Sequence, residues 1–156
     1  MKDFCLLCNE FARILGAEIL STAEGACTVT FMRNINAEIL GRRTRSPLAL
    51  SALFSFESPD NQGRTLNLGE TVILQDEIND FISILRKKGI LVTALHNHWL
   101  FEDPRLMYIH FESIDQPLDF ARKVAEALCV LGRTRSINNS IDIVKQIAET
   151  LSSLKK

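Results

Sequence analysis

The stretch LVTALHNHWLFEDPRLMYIHFE, residues 91–112, predicts the centre of the fold. Its two ends are rich in β-branched, aromatic and aliphatic residues, as is typical of strands, and the polar segment between them contains a proline, as is typical of a turn. We therefore expect strands over residues 90–98 and 105–113 that pair as an antiparallel hairpin across the loop 99–104.

All three histidines of the chain lie in this hairpin, at His96, His98 and His110. Side chains alternate along a strand, so His96 and His98 should point to the same face. The apolar rows of the two strands should share the other face, because a one-residue slip would expose a complete row. The expected inward rows are Leu91, Thr93 and Leu95, and Met107, Ile109 and Phe111. The residues then gathered on the opposite face are His96, His98, Tyr108, His110 and Glu112.

This predicted cluster favours metal or acid–base chemistry. Three neutral imidazoles, or two together with Glu102, suit zinc or another first-row divalent metal with an open position for water or substrate. Without a metal, the histidines with Glu102 or Glu112 can act as general acids or bases. Arg105 can bind the carboxylate or phosphate of a small anionic molecule.

The candidate catalytic residues are His96, His98, His110 and Glu102, and the same three histidines are the candidate metal ligands. The candidate substrate-binding residues are Arg105, Asn97, Tyr108 and Trp99. A purely structural alternative stays open, in which the histidines form hydrogen bonds on a partly buried polar face and Arg105 pairs with Glu102 or Asp103. Trp99 and Phe101 either wall an apolar pocket or pack the hairpin turn.

The remaining periodicity predicts an α+β fold with an antiparallel or mixed sheet and helices packed on one face. Helices are expected over residues 3–15, 76–88 and 117–131, and further strands over 26–32, 48–56 and 65–74, with Gly69 marking a bulge. Residues 34–47 lack a clear pattern. Their basic cluster, Arg42, Arg43 and Arg45, is more typical of a solvated loop than of an anion site.

We expect one domain of this type over residues 1–131, followed by a C-terminal helical extension over 132–156. The extension carries an apolar stripe, Ile143, Ile147, Leu151 and Leu154, which has to pack on the domain or on a partner subunit. A noncatalytic ligand-binding or sensor module that forms a homodimer through this helix is therefore the alternative to an enzyme.

Composition and charge argue against some classes of partner and indicate a cellular compartment. The chain has 156 residues, and its 18 basic residues nearly balance 19 acidic ones, which argues against nucleic acid as a partner. It has no apolar stretch near the ~20 residues that cross a bilayer, and its N-terminus does not read as a secretion signal. We therefore expect a cytoplasmic protein without a membrane partner. The four cysteines are expected to be reduced, with Cys5 and Cys8 as buried apolar residues of the first helix.

The segment from Val92 to His98, with Glu102, Arg105 and the segment from Tyr108 to Phe111, closely resembles the signature of the LppY/LpqO domain family. That family is best known from bacterial lipoproteins and has no established activity. The resemblance covers about residues 10–130. It implies that the motif positions of the family are His96, Asn97, His98, Glu102, Arg105 and His110.

Overall fold

A computed structural model describes residues 2–132 as an α+β structure, as predicted. The helices are α1 (Lys2–Leu15), α2 (Pro47–Leu50), α3 (Ile78–Lys87) and α4 (Pro117–Leu128), with a 3₁₀ turn at Ala23–Gly25. The strands are β1 (Glu18–Ser21), β2 (Cys27–Met32), β3 (Ala37–Ile39), β4 (Arg42–Thr44), β5 (Ser51–Glu57), β6 (Thr65–Leu74), β7 (Leu91–His96), β8 (Glu102–Asp103) and β9 (Leu106–Asp115). The expected C-terminal helix and its role in a homodimer lie outside the described residues.

Six strands form the main antiparallel sheet, in the order β1-β2-β5-β6-β9-β7. Because side chains alternate between the two faces of a strand, the sheet carries a separate apolar cluster on each face. On one face, Phe54, Phe111 and their neighbours pack against α1, α3 and α4 and form the main core. On the other face, Val72, Leu106 and Tyr108 form a smaller cluster with residues of β3 and α2. The helices thus cover one face, and short elements cover only part of the other.

The segment before β5 differs from the prediction. Leu48 was expected to begin a buried strand, but Pro47–Leu50 forms one helical turn and the strand begins at Ser51. Ser46 caps this turn, since its Oγ accepts a hydrogen bond from the Leu48 backbone N–H at 3.2 Å. A serine followed by proline is a favoured start of a helix, which explains why the apolar run does not continue as a strand.

The basic cluster was expected to lie in a loop, and this prediction is wrong for two of its residues. Arg42 and Arg43 belong to β4, which pairs with β3 across a turn at Leu40 and Gly41. β3 also pairs with β8, so a three-stranded sheet of order β4-β3-β8 forms beside the main sheet. Strands of two or three residues are too short for alternation to be recognisable in a sequence.

Gly69 does not mark a bulge. β6 pairs with β9 through ten consecutive residues, and Gly69 lies opposite Phe111 in that unbroken register. A Cβ atom on residue 69 would lie 2.2 Å from the ring of Phe111. Glycine is therefore required so that this ring can lie directly over the strand, which is a packing role.

The expectation of four reduced cysteines is also contradicted. Cys8 of α1 and Cys27 of β2 form a disulfide with a Cα–Cα distance of 5.7 Å, while Cys5 is exposed and keeps its thiol. The two half-cystines are 19 residues apart in the sequence, and only the packing of α1 against the sheet brings them together. Cys8 is buried, as predicted, but as half of a covalent link and not as a free apolar side chain.

We predict that the protein, denatured without reductant, reacts with a thiol reagent at two cysteines, and at four after reduction. Replacing both Cys8 and Cys27 with serine should lower the free energy of unfolding by about 3 kcal/mol, because the link closes a short loop in the unfolded chain. Urea unfolding measures this. A Cys5→Ser control should leave stability unchanged, and four reactive thiols without reductant would contradict the prediction.

A buried ion pair joins four parts of the fold. The guanidinium of Arg33, just after β2, donates to both carboxylate oxygens of Glu77 at 2.7 Å and to the Val72 carbonyl at 3.0 Å. Glu77 also accepts from the backbone N–H groups of Leu74 at 2.9 Å and Gly132 at 3.0 Å. Burial raises the pKa of Glu77, but these hydrogen bonds outweigh burial and hold that pKa below its usual value of 4.5.

We predict that Glu77→Gln lowers the free energy of unfolding by about 3 kcal/mol at neutral pH, because it leaves the buried Arg33 without a counter-charge. A carboxylate with a lowered native pKa stabilises the fold above pH 4.5 and loses that contribution as pH falls through the native pKa. The difference between wild type and variant in urea unfolding should therefore shrink in acid. Glu10→Gln removes an exposed pair with Arg13 and should have little effect; a Glu77 effect independent of pH would contradict the assignment.

Candidate functional site

The register of β7 with β9 places His96 and His110 on one face, as predicted, while His98 lies two residues beyond the end of β7. His96 lies opposite Tyr108, and Ala94 lies opposite His110. Since paired residues share a face, and His96 and Ala94 are two residues apart, all four point away from the helices.

The inward face of β7 was predicted less well. A register shift between Val92 and Ala94 makes Thr93 a bulge residue, so the alternation reverses there. Val92 packs on the main core, whereas Leu91, expected to be inward, lies opposite Glu112 and is exposed. Leu95 lies opposite Ile109 on the predicted face, although 38% of its surface is exposed. Thr93 lines the open face near His110. No pattern in residues 91–95 indicates this bulge, because each residue of the segment suits either face.

The three imidazoles form a compact group. Their candidate ligand atoms all lie within 4.8 Å of one another. The ring of His96 lies between the other two, with centroids 5.0 Å from His98 and 4.9 Å from His110. The three histidines are thus positioned to bind a metal ion.

Tyr108 supports His98 from the sheet. The two rings stack with centroids 3.6 Å apart and an angle of 5°. The tyrosine hydroxyl donates to the Ala49 carbonyl at 2.9 Å and accepts from the indole N–H of Trp99 at 2.8 Å. Asn97 donates from its side-chain amide to the Trp99 carbonyl at 2.8 Å. The polar groups predicted to bind substrate at Tyr108, Trp99 and Asn97 therefore bind other parts of the protein and hold the loop after β7.

Glu102 and Arg105 lie together. The Arg105 Nε atom is 3.2 Å from Glu102 Oε1, the pairing that the structural alternative expected. Both Glu102 carboxylate oxygens are buried and accept no hydrogen bond from the described residues. The group of candidate metal ligands found in residues 2–132 contains the three histidines and not Glu102.

Glu70 is a residue of the candidate site that was not predicted from the sequence. It lies opposite His110 in the β6–β9 ladder, and its Oε2 atom is 3.4 Å from His110 Nδ1. The other ring nitrogen of His110, Nε2, is buried and has no hydrogen-bond partner within the described part of the chain. The available signal was the one charged residue of β6, which lies on a face of that strand that otherwise carries leucine and valine, at Leu66, Leu68, Val72 and Leu74.

An open trough of about 390 Å³ runs over the sheet from His110 and Glu70. Its other walls come from β2, β5, β6, β7 and β9, and they include Thr28, Leu53, Ser55, Leu68, Thr93 and Glu112. The trough gives a small molecule access to His110, the one histidine that lines it, from the uncovered face.

The electrostatics favour neutral imidazole at His98. Partial burial lowers the pKa of His98 below 6.5, and the neighbouring His96 and His110 lower it further, while Glu70 opposes them. Neutral imidazole is the form that binds metals. Burial likewise raises the pKa of Tyr108 above 10.0, so its phenol stays protonated.

Comparison with protein families gives one assignment. A family model described as Domain of Unknown Function (DUF1259) matches residues 9–130, which include all three histidines. The chain belongs to this family. No curated protein and no solved structure matches the chain. Membership of the DUF1259 family does not indicate an activity. The relationship to the LppY/LpqO family stays a prediction.

Proposed function

We propose that this DUF1259 protein is a metal-dependent domain whose three histidines hold a divalent ion next to a site for a small molecule. The three imidazole donors favour zinc. The observation that carries the proposal is the convergence of three imidazoles within 4.8 Å on one open face. Three histidine ligands with a free fourth position are typical of catalytic zinc sites, in which the ion activates water or polarises a substrate.

His110 supports this proposal. A buried nitrogen without a hydrogen-bond partner is costly, and its cost is removed if Nε2 binds a metal. Nδ1 then carries the proton and faces Glu70, which lies 3.4 Å away. A carboxylate behind a histidine in this way orients the ring and strengthens it as a ligand.

The trough supports a small-molecule ligand. A metal at the histidines would offer its open position to an anionic group, such as a carboxylate, at the end of the trough lined by His110. Arg105 is half-exposed and already paired with Glu102, so the ion, and not Arg105, would supply most of the positive charge.

We predict that wild-type protein without a histidine tag binds one Zn²⁺ or Co²⁺ per chain. The chain contains three histidines in total, so bound Co²⁺ must report on this site if imidazoles coordinate it. His96→Ala, His98→Ala and His110→Ala should each weaken binding by more than about 100-fold, which exceeds the usual effect of losing an outer partner of a ligand. Isothermal titration and the visible spectrum of Co²⁺ measure this.

Glu18→Gln is the control. It changes an exposed carboxylate on β1, at the opposite edge of the main sheet from β7, and should leave metal affinity unchanged. Equal zinc affinity in wild type and in the variant that lacks all three histidines would refute the metal site. Zinc should also raise the melting temperature of wild type, but not that of the variant that lacks all three histidines, since a ligand that binds the native state stabilises it.

We predict that Glu70→Leu weakens zinc binding by about 10- to 100-fold without removing it, because the ligands stay and only the orientation of His110 is lost. Glu70→Gln keeps a hydrogen-bond acceptor and should recover part of the loss. The same titrations test this, and a Glu70→Leu affinity equal to wild type would show that Glu70 does not position His110.

A further inference from the structure

A cluster of exposed apolar side chains projects from the loops of the small sheet. Leu40, Leu100 and Phe101 are 72%, 74% and 69% exposed, and a backbone hydrogen bond of 2.9 Å from Leu40 N–H to the Phe101 carbonyl holds two of them together. Packing within the described part of the protein therefore does not explain why these three positions carry large apolar side chains. Phe101 thus fits neither sequence-based expectation for it, a pocket wall or a packed turn.

Arginines border this apolar cluster. Arg42 and Arg43 follow the Leu40–Gly41 turn directly, and Arg45 comes two residues later; all three are exposed. No ion pair forms at these arginines within residues 2–132. The acids of the small sheet are Glu38, paired in register with Arg43, Asp103, and Glu102, whose side chain is buried next to Arg105. With Arg45, which follows β4, three exposed arginines therefore lie beside two exposed acids.

The turn holds Leu40 in an unfavourable conformation. Leu40 has φ 53° and Gly41 has φ 69°, so both residues occupy the left-handed region. Asparagine or glycine is the usual residue at the first of these positions, and leucine is disfavoured there. A leucine in this conformation lowers the stability of the fold. Because the Leu40 side chain is 72% exposed, its burial does not offset that cost.

We propose that this loop cluster, Leu40, Leu100 and Phe101 with Arg42, Arg43 and Arg45, binds the surface of an anionic lipid bilayer. Apolar side chains that protrude beside arginines match the layered chemistry of such a surface, in which acyl chains lie below acidic headgroups. The convex shape of a turn and a loop suits a soft surface that it can enter, more than a folded partner that needs a large flat contact. Contact of this kind needs no spanning segment, and no helix within the described residues is long and apolar enough to cross a membrane.

The test is co-sedimentation of the full chain with vesicles of phosphatidylcholine alone and of phosphatidylcholine with phosphatidylglycerol, in the presence of a chelator so that metal plays no part. We expect binding to the anionic vesicles alone, weakened by salt. Arg42→Gln/Arg43→Gln should lower the partition coefficient roughly 25-fold, about fivefold for each arginine. Leu40→Asn/Phe101→Ser should lower it by at least about tenfold.

Leu40→Asn separates binding from folding, because asparagine tolerates the left-handed turn and should not lower the melting temperature. Ile114→Ser, at an exposed site on β9, is the matched control and should bind like wild type. Failure of wild type to bind anionic vesicles, or equal binding by the loop variants, would overturn the proposal; the latter would assign binding to another segment, such as the basic C-terminal residues.

Discussion

The ladder between β6 and β9 is the interaction on which the rest of the structure depends. Its ten consecutive residue pairs join the two longest strands at the middle of the main sheet. The ring of Phe111 over Gly69 leaves no room for another side chain, and a register slip would place a Cβ atom under that ring. The next pair along this register is Glu70 with His110. A packing contact in the core thus places the acid and the imidazole of the candidate site opposite each other on the reverse face.

The two faces of the sheet have different roles. One face is buried by α1, α3 and α4, and its aromatic core makes the strands rigid. The other face is covered in part by the small sheet and α2, which contribute to the cluster around Tyr108. This second cluster holds the ring against which His98 stacks, and it leaves the trough beside His110 open. Ligands placed on or beside strands and supported from below are more precisely oriented than ligands on free loops.

The disulfide bears on where the protein works. A covalent link between Cys8 and Cys27 is typical of proteins in oxidising compartments, whereas the N-terminal sequence led us to expect the cytoplasm. These two observations point in opposite directions, and the cytoplasmic location stays a prediction.

The sequence by itself determined what depends on local periodicity: the long helices α1, α3 and α4, the strands β2, β6 and β9, and the strand pairing that makes His96 and His110 co-facial. Those features follow from alternation and helical spacing within about fifteen residues. Only the tertiary structure decided the disulfide, the small sheet, the bulge at Thr93 and the place of Glu70 beside His110. Each of these depends on residues distant in the sequence, or on a choice between two faces that the local residue types fit equally well. Glu70 shows the reason most directly, because its partner is 40 positions away, and the contact exists through the β6–β9 register.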